Sequence, residues 1–253
     1  MKQVQSADGT AIAYERTGSG PALVIVTGAF CDRGTSVKLA AELVGYTVYR
    51  YDRRGRGDSG DSPTYAVERE VEDLGAVVRA TGGSAYVYGH SSGAVLALEA
   101  AARGLPARKL AVYEPPYTGS GRPAEPIAAR LAELASTGHR DEAAAQFLSM
   151  TGMPAEAIEH VRADPGWPAM RAIAHTLAYD ILLCGNGLAP TDLLSRISVP
   201  ALVMAGGNSA PWATKSAESV AAAVPDARVR IVEEQDHGIA AEALVPLLTE
   251  FFT

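Results

Sequence analysis

The chain has 253 residues, 47% apolar and 20% charged, with 29 acids against 22 Lys and Arg for a net charge of −7. That composition fits a globular protein with ample core, of one or two domains, and excludes disorder and low complexity. The acidic balance argues against a nucleic-acid partner, no apolar run approaches the ~20 residues of a membrane helix, and the two cysteines, Cys31 and Cys184, cannot make a zinc cluster. The N-terminal MKQVQSADGTAIAYE is polar and alternating, without the apolar stretch of a secretory signal. A cytoplasmic protein with free thiols is therefore expected.

Lys2–Ser6 and Ala11–Arg16 alternate around Asp8-Gly9, a hairpin signal. Ala22–Thr27 is apolar on both faces and reads as a buried parallel strand. Ser36–Leu43 reads as helix, Tyr46–Tyr51 as strand, Val67–Ala80 as helix, Ala85–Tyr88 as strand, Ala94–Ala102 as helix and Lys109–Tyr113 as strand. From Pro115 to Leu194 the pattern predicts helices only. Their segments begin near Ile127, Asp141 and Pro154, with Pro154 suited to a first helical position. The longest is predicted over Pro168–Leu183, with Met170, Ile173, Leu177 and Ile181 along one face. Alternation then returns with strand Ala201–Ala205, helix Trp212–Ala223, strand Arg228–Val232 and helix Ile239–Phe252. The expected architecture is α/β: a doubly wound, mostly parallel sheet, interrupted by a helical insertion.

Gly89-His90-Ser91-Ser92-Gly93 fits G-x-S-x-G, with a strand before it and a helix after it. The turn is so tight that side chains at either glycine would clash, and it leaves the Ser91 hydroxyl exposed at the strand tip. The chain here resembles the α/β-hydrolase superfamily, and within it small actinobacterial hydrolases with a G-H-S-S-G elbow. Asp52-Arg53-Arg54-Gly55-Arg56-Gly57-Asp58-Ser59-Gly60 resembles the family's D-x-R-G-x-G-x-S segment. Thr27-Gly28-Ala29-Phe30 stands where the family has its His-Gly oxyanion loop, with Thr27 in place of the His. Gln235-Asp236-His237-Gly238 stands where the family carries its histidine. The resemblance implies the α/β-hydrolase fold, a core of residues 1–115 and 195–253, and a helical cap of residues 116–194.

A serine hydroxyl needs an adjacent base. Of the five histidines, His90 neighbours the nucleophile but should point away from it and pack under the elbow. His139 and His160 lie in polar segments, His175 is on the predicted long helix, and His237 follows the last strand. His237 is the expected base. The superfamily's usual acid position, after strand Ala201–Ala205, holds Gly206-Gly207-Asn208-Ser209 and no carboxylate. A second branch of the superfamily places the acid after the preceding strand, where Glu114 precedes two prolines. Glu114 is the expected acid, with Asn208 or no third member as alternatives; Asp236, adjacent to His237, is badly placed to reach the far ring nitrogen.

The expected oxyanion donors are the backbone N–H groups of Ser92 and of Ala29, with Phe30 as the alternative to Ala29. Phe30 and Trp212 are candidate pocket walls. Arg53, Arg54 and Arg56 are expected to pair with acids of their own segment near the sheet edge, with an anionic-substrate contact as the alternative. Cys31 is expected to be a core or pocket thiol. Together these features predict a cofactor-independent serine hydrolase that holds no metal and acts on a small-molecule carboxylic ester, lactone or thioester through an acyl-enzyme. Rival expectations are a perhydrolase or haloperoxidase-like reaction, carbon–carbon bond hydrolysis, a biosynthetic cyclase, or a non-catalytic ligand-binding homologue.

Overall fold

The computed structural model describes residues 1–62 and 64–253. The chain opens with a hairpin of β1 (Lys2–Gln5) and β2 (Ala11–Gly18), joined at Asp8-Gly9, where Gly9 has φ +85°. Then follow β3 (Ala22–Val26), α1 (Val37–Glu42), β4 (Thr47–Tyr51), α2 (Val67–Ala80), β5 (Ala85–His90), α3 (Ser92–Ala102) and β6 (Ala107–Tyr113). The helical segment holds α4 (Glu125–Ser136), α5 (Arg140–Met150), α6 (Ala155–Ala163), α7 (Trp167–Ala172), α8 (Leu177–Cys184) and α9 (Thr191–Leu194). The chain returns through β7 (Ala201–Gly206), α10 (Pro211–Ala223), β8 (Ala227–Val232) and α11 (Ala241–Phe252).

The strands form one sheet in the order β1-β2-β4-β3-β5-β6-β7-β8. The hairpin pairs antiparallel with itself and onto β4; the remaining pairings are parallel. Strand alternation splits the core in two. Val24 and Val26 face α2, α3 and α10, while Leu23 and Ile25 face α1 and α11. This explains the unbroken apolar runs read from the sequence, since both faces of the central strands are covered by helices. Among the described residues no helix is long and apolar enough to cross a membrane.

The insertion between β6 and β7 has its own apolar cluster, including Leu131, Leu134, Ala143, Leu148, Trp167 and Leu177. Ala29 and Phe30 of the core pack against that cluster. Two expectations there need correction. The helix predicted over Pro168–Leu183 is broken: α7 ends at Ala172, a single 3-10 turn covers Ala174–Thr176, and α8 begins at Leu177. The Thr176 hydroxyl donates to the Ile173 carbonyl at 2.8 Å, a local bond that competes with helix continuation. The predicted stripe is buried all the same, because Leu177 is fully enclosed and Met170 and Ile181 pack on the cluster. Pro154 caps α6 in extended conformation, φ −62° and ψ 150°, one place before the first helical position predicted for it.

Candidate active site

The strand-to-helix turn places Ser91 at φ +56° and ψ −127°, a conformation costly for a residue with a Cβ. Its flanking glycines are required by close approach. A Cβ at Gly93 would lie 2.2 Å from the Val26 carbonyl oxygen, and one at Gly89 would lie 2.6 Å from the Gly93 oxygen. The Ser91 amide is held by the Tyr113 carbonyl at 2.9 Å, which ties the turn to the end of β6. Ser92 opens α3 and is buried. Its N–H, at the first helical position, has no carbonyl one turn back to bond.

Three elements far apart in the chain meet at Ser91. His237 Nε2 lies 3.1 Å from Ser91 Oγ. On the other side of the ring, His237 Nδ1 lies 2.6 Å from Glu114 Oε2. Glu114 sits just after β6 with φ +47° and its side chain is completely buried, while the His237 side chain is half-exposed. The second carboxylate oxygen of Glu114 accepts the Gly206 N–H at 2.8 Å, so the end of β7 orients the acid. Burial pushes the Glu114 carboxyl up, but its bonds to His237 and Gly206 outweigh that and hold it below the usual value of 4.5. Asn208 is exposed and takes part through its backbone N–H, which donates to the Gln235 carbonyl at 2.9 Å. The Asp236 carboxylate accepts from the Gly238 N–H and turns back on its own loop.

His90 carries a contact that the sequence does not advertise. Its Nε2 lies 2.8 Å from the His237 carbonyl oxygen, so that nitrogen must bear the proton it donates. The ring stacks on Tyr113, with centroids 5.7 Å apart, and the Tyr113 hydroxyl donates to the Asp236 carbonyl at 2.5 Å. Two aromatic side chains beneath the elbow thus pin the loop that carries His237. Burial first, then the His237 ring, lowers the His90 pKa from 6.5 to about 4, leaving it neutral at physiological pH.

The other candidates fall as follows. Trp212 faces His237, ring centroids 6.3 Å apart. Phe30 has φ +59° and meets Phe147 edge-on at 5.4 Å, joining the core loop to the insertion. His139 and His160 are exposed. His175 lines a 610 Å³ hollow between α4, α8 and residues 64–65, whose walls include none of Ser91, Glu114 or His237. Cys31 is half-buried, and burial raises its thiol pKa.

The arginine segment departs from its expected pairing. Arg53, Arg54 and Arg56 are each 1% exposed and pair with acids of distant helices. Arg53 donates to Glu70 of α2 at 2.6 and 2.7 Å and to Asp180 of α8 at 2.8 Å. Arg54 pairs with Asp73 of α2 at 2.7 and 2.8 Å, and with Asp8 at 3.1 Å. Arg56 pairs with both oxygens of Asp180 at 2.9 Å. Guanidiniums buried in this way are enclosed by protein partners, which leaves no face for an anionic substrate. The acid nearest in sequence, Asp52, instead accepts from the Arg33 side chain and, at 2.7 Å, from the Arg33 N–H. Asp180 is the residue most easily overlooked. Its signal was a single carboxylate inside the apolar stretch Leu177-Ala-Tyr-Asp-Ile-Leu-Leu-Cys184, since an acid there is buried only if it is paired.

A parallel sheet with a serine on a strained turn at one strand tip, and an acid and a histidine at the neighbouring tips, defines the class of α/β-fold hydrolytic enzymes. A profile of the alpha/beta hydrolase family matches residues 23–246, and the chain belongs to that family. It is 47% identical to an alpha/beta hydrolase from Sphaerobacter thermophilus DSM 20745, whose crystal structure matches with a TM-score of 0.93 over 100% of both chains. The enol-lactonase from Burkholderia xenovorans LB400 matches with a TM-score of 0.77 over 99% of both chains at 20% identity, a likeness of fold alone. N-formylmaleamate deformylase from Pseudomonas putida is 37% identical over 128 residues, 48% of this chain. The chain spans about half the length of that curated relative, 47% of which is matched. The protein is a hydrolase enzyme of the α/β-hydrolase fold.

Proposed function

We propose that the enzyme hydrolyses a small to medium carboxylic ester, lactone or thioester through an acyl-enzyme on Ser91. The observation that carries this is the continuous chain from Ser91 Oγ to His237 at 3.1 Å and from His237 to Glu114 at 2.6 Å. His237 Nε2 takes the Ser91 proton as the oxygen attacks the acyl carbon. The ring becomes a cation, and Glu114, deprotonated and bonded to Nδ1, stabilises it. The backbone N–H groups of Ser92 and Ala29 receive the negative oxygen of the tetrahedral intermediate. His237 then protonates the leaving group and activates the water that releases the acid. No step requires a cofactor. Residues 1–115 and 195–253 act as the catalytic core, with 116–194 as a cap, and Phe30 and Trp212 contribute walls of the acyl pocket.

A fluorescent fluorophosphonate tests the nucleophile: the wild-type chain is labelled and Ser91→Ala is not. Labelling that survives Ser91→Ala removes Ser91 from the role. A panel of p-nitrophenyl esters of rising chain length, lactones, acyl thioesters and N-formyl amides then ranks the substrate class by kcat/KM. Preference for the N-formyl amides would move the assignment from ester to amide bonds, the chemistry that the deformylase's name describes.

A further inference from the structure

Both amides assigned above to the oxyanion are tied to one buried carboxylate on the inserted segment. Asp180 of α8 is 1% exposed. Its Oδ1 accepts the Ser92 hydroxyl at 2.7 Å. Both its oxygens accept Arg56 Nη2 at 2.9 Å. The other terminal nitrogen of Arg56 donates to the Gly28 carbonyl at 2.5 Å and to the Cys31 carbonyl at 3.4 Å. Gly28 lies against the nucleophile: a Cβ built on it would be 3.4 Å from Ser91 Oγ.

Peptide planarity converts the Arg56 contact into an orientation. The Gly28 carbonyl and the Ala29 N–H belong to one trans peptide and point in opposite directions. With the carbonyl drawn to the buried guanidinium, the Ala29 N–H is turned away from Arg56. The Ser92 hydroxyl anchors the first residue of α3 to the same carboxylate, fixing a second amide with no helical acceptor of its own. The Arg56 nitrogen shared between both Asp180 oxygens makes charge-assisted hydrogen bonds, roughly twice as strong as neutral ones. Arg53 and Glu70 complete a cluster of two cations and two anions, so no net charge is buried. The cluster's bonds to neutral groups include the Gly28 carbonyl and the Ser92 hydroxyl, which belong to the peptide and the residue that carry the two amides.

We infer that Asp180, acting through Arg56 and the Ser92 hydroxyl, is a positioning residue that sets the separation and direction of the two oxyanion donors. The inserted segment thereby completes the catalytic geometry of the core. The assignment rests on the proposed serine mechanism. Each oxyanion donor contributes about 10²–10³ in rate, and a displacement of about 1 Å costs about 10².

The test uses the full chain carrying Asp180→Asn, Ser92→Ala or Arg56→Lys. The readouts are kcat and KM on the best p-nitrophenyl ester, affinity for a trifluoromethyl ketone of matching acyl group, thermal melting, and active-site titration with fluorophosphonate. Per titrated site, Asp180→Asn and Ser92→Ala are expected to lower kcat about 10–100-fold while KM stays within about 3-fold. Ketone affinity should fall by the same factor as kcat/KM, because the ketone's bound adduct carries the oxyanion. A purely structural role lowers the melting temperature and leaves kcat per titrated site and ketone affinity unchanged; that result overturns the inference. So does a loss confined to KM. If Asp180→Asn fails to fold, Ser92→Ala decides, since it removes one hydroxyl and keeps the amide. A wild-type chain that neither reacts with fluorophosphonate nor turns over any acyl substrate refutes the serine mechanism itself, and the positioning role with it.

Discussion

Replacing Glu114 by Gln removes a charge while keeping volume and shape. Oε1 accepts the Gly206 N–H at 2.8 Å, and the Gln carbonyl oxygen can keep that bond. The Gln amide then points its NH₂ at His237 Nδ1, 2.6 Å from the present oxygen. Two donors cannot face each other at that distance, so Nδ1 must give up its proton and Nε2 must carry it. An Nε2–H imidazole cannot accept the Ser91 proton, and a Gln cannot stabilise an imidazolium. A carboxylate-to-amide exchange of this kind costs about 10³–10⁴ in kcat in serine hydrolases, or about 4–5.5 kcal/mol of barrier at 1.36 kcal/mol per decade. Stability should change far less, because the buried amide keeps the Gly206 partner and keeps His237 as a partner with the donor and acceptor roles reversed. The assay is kcat and KM on a p-nitrophenyl ester, with urea unfolding in parallel. A Glu114→Gln enzyme with kcat within about threefold of wild type would show that Glu114 is not the acid, whatever its distance from the ring.

Three further outcomes are expected. His90 binds a proton at pH 6.5 when unfolded but only near pH 4 when folded. Between those values the unfolded state holds more protons, so stability is full above pH 6.5 and falls as the pH drops toward 4, by up to about 3 kcal/mol. Urea midpoints measured from pH 7.5 to 4 should show this slope in the wild type and a flatter one in His90→Gln; equal slopes would remove His90 as the cause. Gly93→Ala forces a Cβ to 2.2 Å from the Val26 carbonyl. The overpacking should cost about 3 kcal/mol, a drop of roughly 5–10 °C in Tm by calorimetry, and an unchanged Tm would mean the elbow can yield. Trp212→Ala should raise KM for bulky acyl groups at least threefold and leave kcat on acetate esters near wild type; a uniform fall in kcat would instead tie Trp212 to His237's orientation.

Local pattern carried much of the fold. The apolar β3 and β5, the Asp-Gly hairpin and the glycine-flanked serine each have a cause within a few residues: periodicity of two, a turn that needs positive φ, a crossing too close for a Cβ. Helix α2 runs from Val67 to Ala80, the limits its apolar spacing predicts. Where a side chain bonds its own backbone, as Thr176 does to Ile173, periodicity misses the break, because the stripe is the same in one helix or two. The order serine, acid, histidine could be proposed from the sequence because each residue follows a strand, and strand ends converge at one edge of a parallel sheet.

The arginine cluster lay beyond such reasoning. Arg53, Arg54 and Arg56 stand among nearby acids, and local spacing favours Asp58 and Asp52 as partners. Their partners are Glu70, Asp73 and Asp180, the last separated by 127 and 124 positions from Arg53 and Arg56. Burial decides this, since a fully enclosed guanidinium must find acceptors wherever the packed interior supplies them. The sequence by itself determined the sheet, the elbow and the candidate residues, because these follow from dihedral preferences and apolar spacing along the chain. Only the tertiary structure decided which carboxylate meets which cation and which side chains brace the elbow and the histidine loop, because desolvation and three-dimensional packing act between segments that carry no record of each other.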